Sequence, residues 1–246
     1  MSSAAVDAPA KLTLSLRITG VRADGYHLLD AEMVALDLCD RLEILPGDGL
    51  EVSGGSGESG LEVPAGDDNL VRRALAAAGR RAWVRLHKRI PAGAGLGGGS
   101  ADAAAVLRWA GVSDLEVAAR LGADVPFCLI GGRARVRGVG QEVHPLPFDE
   151  VEGRRYTLLT PPFGVSTGLV YRAWDQLGGP VSPGPNDLEA AALRVEPRLA
   201  AWRDRLGDAT GEMPVLAGSG STWFVPGAYP GEGRVVVRPV PPPPAP

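Results

Sequence analysis

The stretch Pro91-Ala92-Gly93-Ala94-Gly95-Leu96-Gly97-Gly98-Gly99-Ser100-Ala101 is where the residue types of this chain point most directly to chemistry. Five glycines fall between positions 93 and 99. Each glycine loses more backbone entropy on folding than any other residue, so five are a costly way to build a mere connection. What they provide is a loop without Cβ atoms, whose N–H groups can close around an anion. The helix-like run that follows, Ser100 to Leu107, aims its positive end at the same spot. The expected site is a phosphate cradle, with Ser100 capping the helix.

Other glycine loops are spelled differently. Gly93-x-Gly95-x-x-Gly98 meets the dinucleotide fingerprint literally. That fingerprint follows a buried parallel strand, which reads as a nearly continuous apolar run. Trp83 to Ile90 instead carries Arg85, His87, Lys88 and Arg89, as a half-exposed strand does. No Gly-Lys-Ser/Thr closes the loop, which excludes the ATPase P-loop, and the protein-kinase signatures are missing. A flexible linker is disfavoured because a strand and an Ala-rich helix frame the segment. Among single residues, Asp124 precedes Pro126 and reads equally as a capping aspartate or as a general base. Lys11, judged alone, is an ordinary solvated lysine.

The elements that must hold these groups are legible as periodicity. Leu12, Leu14, Leu16 and Ile18 alternate with Lys11, Thr13, Ser15 and Arg17, a strand with one apolar face. Arg22 to Gly25 is a turn, followed by strand-like runs from Tyr26 to Leu38 and from Arg41 to Leu45. Residues 46–60 hold six glycines and no period, which predicts an exposed, mobile loop. A helix is expected from Asp67-Asp68-Asn69 through about Ala78. Ser113 to Glu116 is a capping box and Gly122 a helix stop. Gly131 to His144 reads as a strand pair. The pattern restarts after residue 150 with a strand at Tyr156 to Leu159 and helices near 167–177, 186–194 and 197–206. Val235 to Val237 forms a last strand, and Pro241 to Pro246 is expected to be extended and disordered. Strands and helices mix without a regular βαβα beat, so an α+β protein in two lobes is expected, divided into 1–150 and 151–246.

Composition sets outer limits. A 246-residue chain with 45% apolar content can bury a substantial core. Net charge is −4 with no basic tract, which gives nucleic-acid binding no electrostatic support. No leader-like start and no run long enough for a membrane span is present, so a cytoplasmic location is expected. Cys39 and Cys128 lie far apart in sequence and are expected as buried thiols. His27, His87 and His144 are too scattered for a recognisable zinc site.

Pro91 to Ala101 resembles the second motif of the galactokinase, homoserine kinase, mevalonate kinase and phosphomevalonate kinase (GHMP) superfamily. Further segments narrow the resemblance to its 4-diphosphocytidyl-2-C-methyl-D-erythritol kinase family. They are Ala8 to Leu14, Arg22-Ala23-Asp24-Gly25-Tyr26-His27, Gly122-Ala123-Asp124-Val125-Pro126-Phe127, Asn186-Asp187-Leu188-Glu189 and Ala217 to Ser221. They run in the family's order from about residue 8 to 225.

The resemblance implies a kinase that moves the γ-phosphoryl of ATP to the 2-hydroxyl of 4-diphosphocytidyl-2-C-methyl-D-erythritol, with Mg²⁺ arriving on the nucleotide. It implies the two-lobed GHMP kinase fold: an N-terminal lobe with a left-handed βαβ crossover and a C-terminal ferredoxin-like α+β lobe. It assigns Asp124 as base, with Lys11 beside it holding the carboxylate ionised and neutralising transition-state charge. It gives Tyr26 and His27 to the cytosine, by stacking and base-edge hydrogen bonds, and Thr13 to the substrate pocket. Tyr171 falls where a second aromatic for that ring often stands, or is a core tyrosine of its helix. The expected assembly is a monomer or homodimer. Two departures stand out: Thr13 replaces a common asparagine, and Ala101 replaces a common second serine. The chain also ends soon after the last glycine motif, so a trimmed second lobe is expected.

Overall fold

The computed structural model describes residues 3–54 and 63–244. Its spine is a long antiparallel pair, β1 (Ala4–Val21) and β2 (His27–Leu45). Bulges fall between Pro9 and Lys11 and between Thr13 and Ser15 of β1, and the regular stretch between them, Lys11, Leu12 and Thr13, is buried on both faces. The first half of β2 pairs with β5 (Arg133–Gly138), which pairs with β6 (Glu142–Pro145). Its second half pairs with β4 (Trp83–Lys88).

Residues 46–60 depart from expectation where they are described. Gly49–Gly54 form β3, parallel to β4 along its whole length. The alternation Leu50-Glu51-Val52-Ser53 is short enough to be hidden by flanking glycines, and a neighbouring strand supplies the missing hydrogen bonds. Residues 55–60 of that expected loop lie outside the described residues. Helix α1 (Leu70–Ala77) is capped by Asn69, whose side chain accepts from the Val71 amide at 2.9 Å. With β3 and β4 it makes a parallel βαβ unit.

Helix α2 (Gly98–Trp109) is the centre of this lobe. Ala101 through Leu107 are all buried, which is what an Ala-rich helix enclosed on every side requires. Its N-cap is Gly97 at φ +69°, and it makes no side-chain capping bond. Ser100 therefore sits inside the first turn and does not cap, because the glycine conformation starts the helix earlier. Helix α3 (Leu115–Leu121) is capped by Asp114, which accepts from Glu116 and Val117, so the cap is one residue later than the capping-box pattern implied. Helix α4 (Val125–Ile130) follows with Pro126 in its first turn.

The second lobe holds a sheet in the order β10-β7-β9-β8, comprising β7 (Tyr156–Leu159), β8 (Val215–Leu216), β9 (Trp223–Pro226) and β10 (Arg234–Val237). Helices α5 (Thr167–Gln176), α6 (Glu189–Val195) and α7 (Leu199–Thr210) accompany it. Asn186, expected within a helix, instead bridges to β1, and Asp187 and Leu188 turn into α6: the Leu16 amide donates to the Pro185 carbonyl at 2.8 Å and the Asp187 amide donates back to the Leu16 carbonyl at 3.0 Å.

Of the tail expected to be extended and disordered over Pro241 to Pro246, residues 241–244 are described and pack onto the first lobe, while residues 245 and 246 lie outside the described residues. The Asp37 amide donates to the Arg238 carbonyl and the Val240 amide to that of Ala35, each at 2.9 Å. Pro242 and Pro243 then lie against Gly131 and Gly132, where an added Cβ would come within 2.8 Å of a proline ring. Proline needs no amide partner, so an extended segment can cross a sheet end with few bonds of its own.

Candidate active site

A cleft of about 1020 Å³ runs between the lobes. One wall is the glycine loop, with Pro91 through Ser100 all lining it. Ala101 does not: it is fully buried and its amide is spent on the Gly97 carbonyl at 2.8 Å. The amides of Gly97, Gly98, Gly99 and Ser100 make no hydrogen bond among the described residues, so several donors and a helix N-terminus face one space. Glycine is required at the contacts. A Cβ on Gly95 would run into the Ala217 and Gly220 carbonyls, and one on Gly97 would lie 2.8 Å from the Lys11 stem.

Lys11 sits beneath that loop. Its amide donates to the Leu96 carbonyl at 2.9 Å, its Nζ donates to Thr13 Oγ1 at 3.0 Å, and Nζ lies 3.4 Å from Asp124 Oδ2. Lys11 is buried by the loop and by the turn at Gly218, where a Cβ would stand 3.3 Å from Nζ. The solvated-lysine reading fails on burial. Asp124 opens α4 but makes no capping hydrogen bond, and its side chain is 31% exposed, towards the cleft. Its carboxylate is thus free to work on something in the cleft.

The turn at Arg22–Gly25 aims the next two side chains. Asp24 Oδ1 accepts from the Tyr26 amide at 3.3 Å, and Gly25 takes φ +85°. Tyr26 is 63% exposed at the cleft mouth. His27 turns inward: its Nε2 stands 2.8 Å from Asp175 Oδ1 on α5, and its ring centroid is 4.8 Å from that of Tyr171. Burial and the nearby Asp124 charge push the Tyr171 phenol up, which ties this corner to the carboxylate that Lys11 contacts. The structure therefore brings Lys11, Thr13, Tyr26, His27, Asp124 and Tyr171 to one cleft with the glycine loop. His87 and His144 lie on exposed strand faces, His87 bonded to Ser53. Cys128 is buried and Cys39 half-buried, and burial pushes their thiols up to about 12 and about 11, which disfavours the thiolate.

Sequence reasoning missed a second lysine–carboxylate cluster behind the loop. Lys88 Nζ donates to Asp102 Oδ2 at 2.8 Å and to Asp40 Oδ2, and all three side chains are at most 3% exposed. Asp40 Oδ1 also accepts from the Arg89 and Ile90 amides at 2.5 and 2.8 Å. Nζ lies 3.1 Å from where a Gly98 Cβ would stand. The cluster ties β2, the end of β4 and the second turn of α2 into one unit. Burial works against the Lys88 charge, but Asp102 and Asp40 overcome it and hold the ammonium above the usual range. Burial, only partly opposed by Lys88, pushes the Asp102 carboxyl up to about 7. The signal existed in β4: Val84, Leu86 and Lys88 share one parity, and that parity faces inward.

Asn186 and Asp187 also have physical work. Asn186 Nδ2 donates to the Leu216 and Gly218 carbonyls at 2.8 and 2.7 Å, fixing the turn over Lys11. Asp187 accepts from Arg17 at 2.7 Å and from the Ile18 amide at 2.9 Å, clamping β1 to the second lobe.

Residues 69–132 match the family described as GHMP kinases N terminal domain. A 4-diphosphocytidyl-2-C-methyl-D-erythritol kinase from Paracoccus denitrificans is 41% identical over 235 residues, covering 88% of this chain and 84% of the relative. The kinase of the same name from Pelotomaculum thermopropionicum is 38% identical, covering 88% and 86%. A crystal structure of 4-(cytidine 5'-diphospho)-2C-methyl-D-erythritol kinase superposes with a TM-score of 0.71 at 38% identity, covering 90% of this chain and 89% of that one. A homoserine kinase from Cytophaga hutchinsonii shares the fold with a TM-score of 0.61 at 20% identity.

Proposed function

The chain belongs to the 4-diphosphocytidyl-2-C-methyl-D-erythritol kinase family of GHMP kinases and is an ATP-dependent small-molecule kinase, and from that premise we propose that it phosphorylates the 2-hydroxyl of 4-diphosphocytidyl-2-C-methyl-D-erythritol in the cleft just described. The observation that carries this reading is Lys11 Nζ standing 3.4 Å from Asp124 Oδ2 directly beneath Gly97. A base, a cation and a set of unpaired amides are thereby gathered at one point.

Phosphoryl transfer asks for positioning and charge neutralisation more than covalent work by the protein. The amides of Gly97 to Ser100 and the α2 N-terminus hold the triphosphate. Asp124 accepts the proton of the acceptor hydroxyl as its oxygen forms the new bond to the γ-phosphorus. The bond to the β-phosphate oxygen breaks, and ADP leaves. Lys11 neutralises charge on the phosphoryl group in passage. Tyr26, His27 and Tyr171 hold the cytosine, and Thr13 fixes the Lys11 ammonium. Among the described residues no cluster of three ligating side chains could hold a resident metal. Mg²⁺ carried in on ATP would be held by the phosphates together with a cleft carboxylate such as Asp124, and would supply charge neutralisation.

The direct test is ADP release over a panel of alcohols. The expected result is turnover with 4-diphosphocytidyl-2-C-methyl-D-erythritol and none with mevalonate or homoserine. Turnover restricted to either of the latter overturns the assignment.

A further inference from the structure

The edge of β2 opposite β1 is paired with β5 as far as Val34 and with β4 from Arg41 onward, which leaves residues 35–40 without a strand there. The tail beyond β10 fills that gap. The Arg238 amide donates to Asp37 Oδ1 at 2.9 Å, Pro239 bridges to Leu36, and the Val240 amide reaches the Ala35 carbonyl. Pro242 and Pro243 then cover Gly131 and Gly132, which are buried and take φ +70° and +67°. The proline rings occupy the room that two Cβ atoms would need. The segment they cover is the closing turn of α4, where the Gly131 amide donates to the Phe127 carbonyl at 2.7 Å.

Helix α4 begins at Asp124. That side chain makes no capping hydrogen bond and its ion-pair partner is Lys11 at 3.4 Å, so the helix itself is what aims the carboxylate. Arg108 Nη1 donates to the Cys128 carbonyl at 2.5 Å and ties α4 sideways to α2. The tail stands at the end of the helix instead. We propose that Pro242 and Pro243 are positioning residues that hold α4 along its axis and thereby set the reach of Asp124 into the cleft. This rests on the base role proposed above for Asp124. At a rise of about 1.5 Å per residue the covered turn lies about 10 Å behind Asp124, so neither proline touches a substrate. Proline suits the task, because its fixed φ leaves little freedom to lose and it needs no amide partner. A misplacement of about 1 Å can cost about 10²-fold in rate, so a slip of a fraction of that distance is readable in kcat.

The experiment introduces Pro242→Ser and Pro243→Ser together in the full chain, once in the wild type and once beside Asp124→Asn, and reads ADP release. In the wild-type background kcat is expected to fall by roughly 3- to 30-fold, with KM for ATP unchanged because the glycine loop is untouched. Beside Asp124→Asn the same pair is expected to cost almost nothing further, since the group being positioned is gone. Pro243→Ala, which keeps the chain's path and withdraws one ring from Gly131, shows a smaller loss of the same kind and serves should the double replacement fail to fold. A merely structural role would lower the active fraction by the same factor in both backgrounds. That result, an unchanged kcat, or a loss confined to KM for ATP overturns the inference while leaving the base role of Asp124 standing. An Asp124→Asn enzyme that turns over like the wild type removes the base role itself.

Discussion

Two lysine–carboxylate sites lie on either side of the glycine loop, and they are built to opposite specifications. At the cleft, Lys11 and Asp124 stand 3.4 Å apart, and the carboxylate is partly exposed. Behind the loop, Lys88 is clasped by Asp102 and Asp40, with every partner sealed from water. The same functional groups thus do chemistry where they are loosely paired and accessible, and architecture where they are tightly paired and buried. A cluster sealed from water has little to offer a substrate, even though Asp102 Oδ1 has no partner among the described residues. A pair whose carboxylate faces an open cleft does.

Lys11→Met breaks the working side of this contrast. Removing one transition-state donor lowers kcat by about 10²–10³-fold, read by ADP release, while the thermal midpoint moves little. Lys88→Met breaks the other side. It strands two carboxylates in the core and costs about 3–5 kcal/mol of stability, read by urea denaturation. If Lys88→Met retained full stability and lost only turnover, the architectural role would be wrong.

Smaller changes sharpen the comparison. Gly97→Ala forces a side chain into the left-handed region, which costs roughly 1–2 kcal/mol, and presses its Cβ on the Lys11 stem. Both KM for ATP and kcat therefore worsen together. Asp102→Asn acts most subtly. The native Asp102 carboxyl is raised to about 7 from 3.8, so its contribution is fully present below pH 4 and is lost as pH rises through 7. The variant lacks that loss. Its stability relative to wild type climbs between about pH 4 and 7, by no more than about 1.4 kcal/mol per pH unit, and is level above that. A flat difference across the window would show that Asp102 is ionised throughout.

The cleft was readable in advance because its parts are local words: a glycine run, an Asp-Val-Pro, an Asp-Gly-Tyr-His turn. Each element type is set by neighbours in sequence, so the hairpin β1–β2 and helices α1, α3 and α5 were legible too. What escaped depends on contacts distant in the chain. Asp40 and Asp102 are separated by 62 positions, and only the fold shows that Lys88 lies between them. Strand β3 was hidden because a parallel neighbour, not its own glycine-rich composition, holds it extended. The ordered tail was missed because the surface it crosses, Leu36 and Gly131-Gly132, belongs to the other end of the molecule. Asp175 gave no signal as an exposed helical aspartate until His27 was seen to meet it.

The central claim is that Asp124 accepts the proton of the attacking hydroxyl while the glycine loop independently holds ATP. Measuring turnover and ATP affinity together in Asp124→Asn tests it most directly. Turnover is expected to fall by at least about 10²-fold, with ATP affinity nearly that of the wild type. Unchanged turnover in that variant would contradict it.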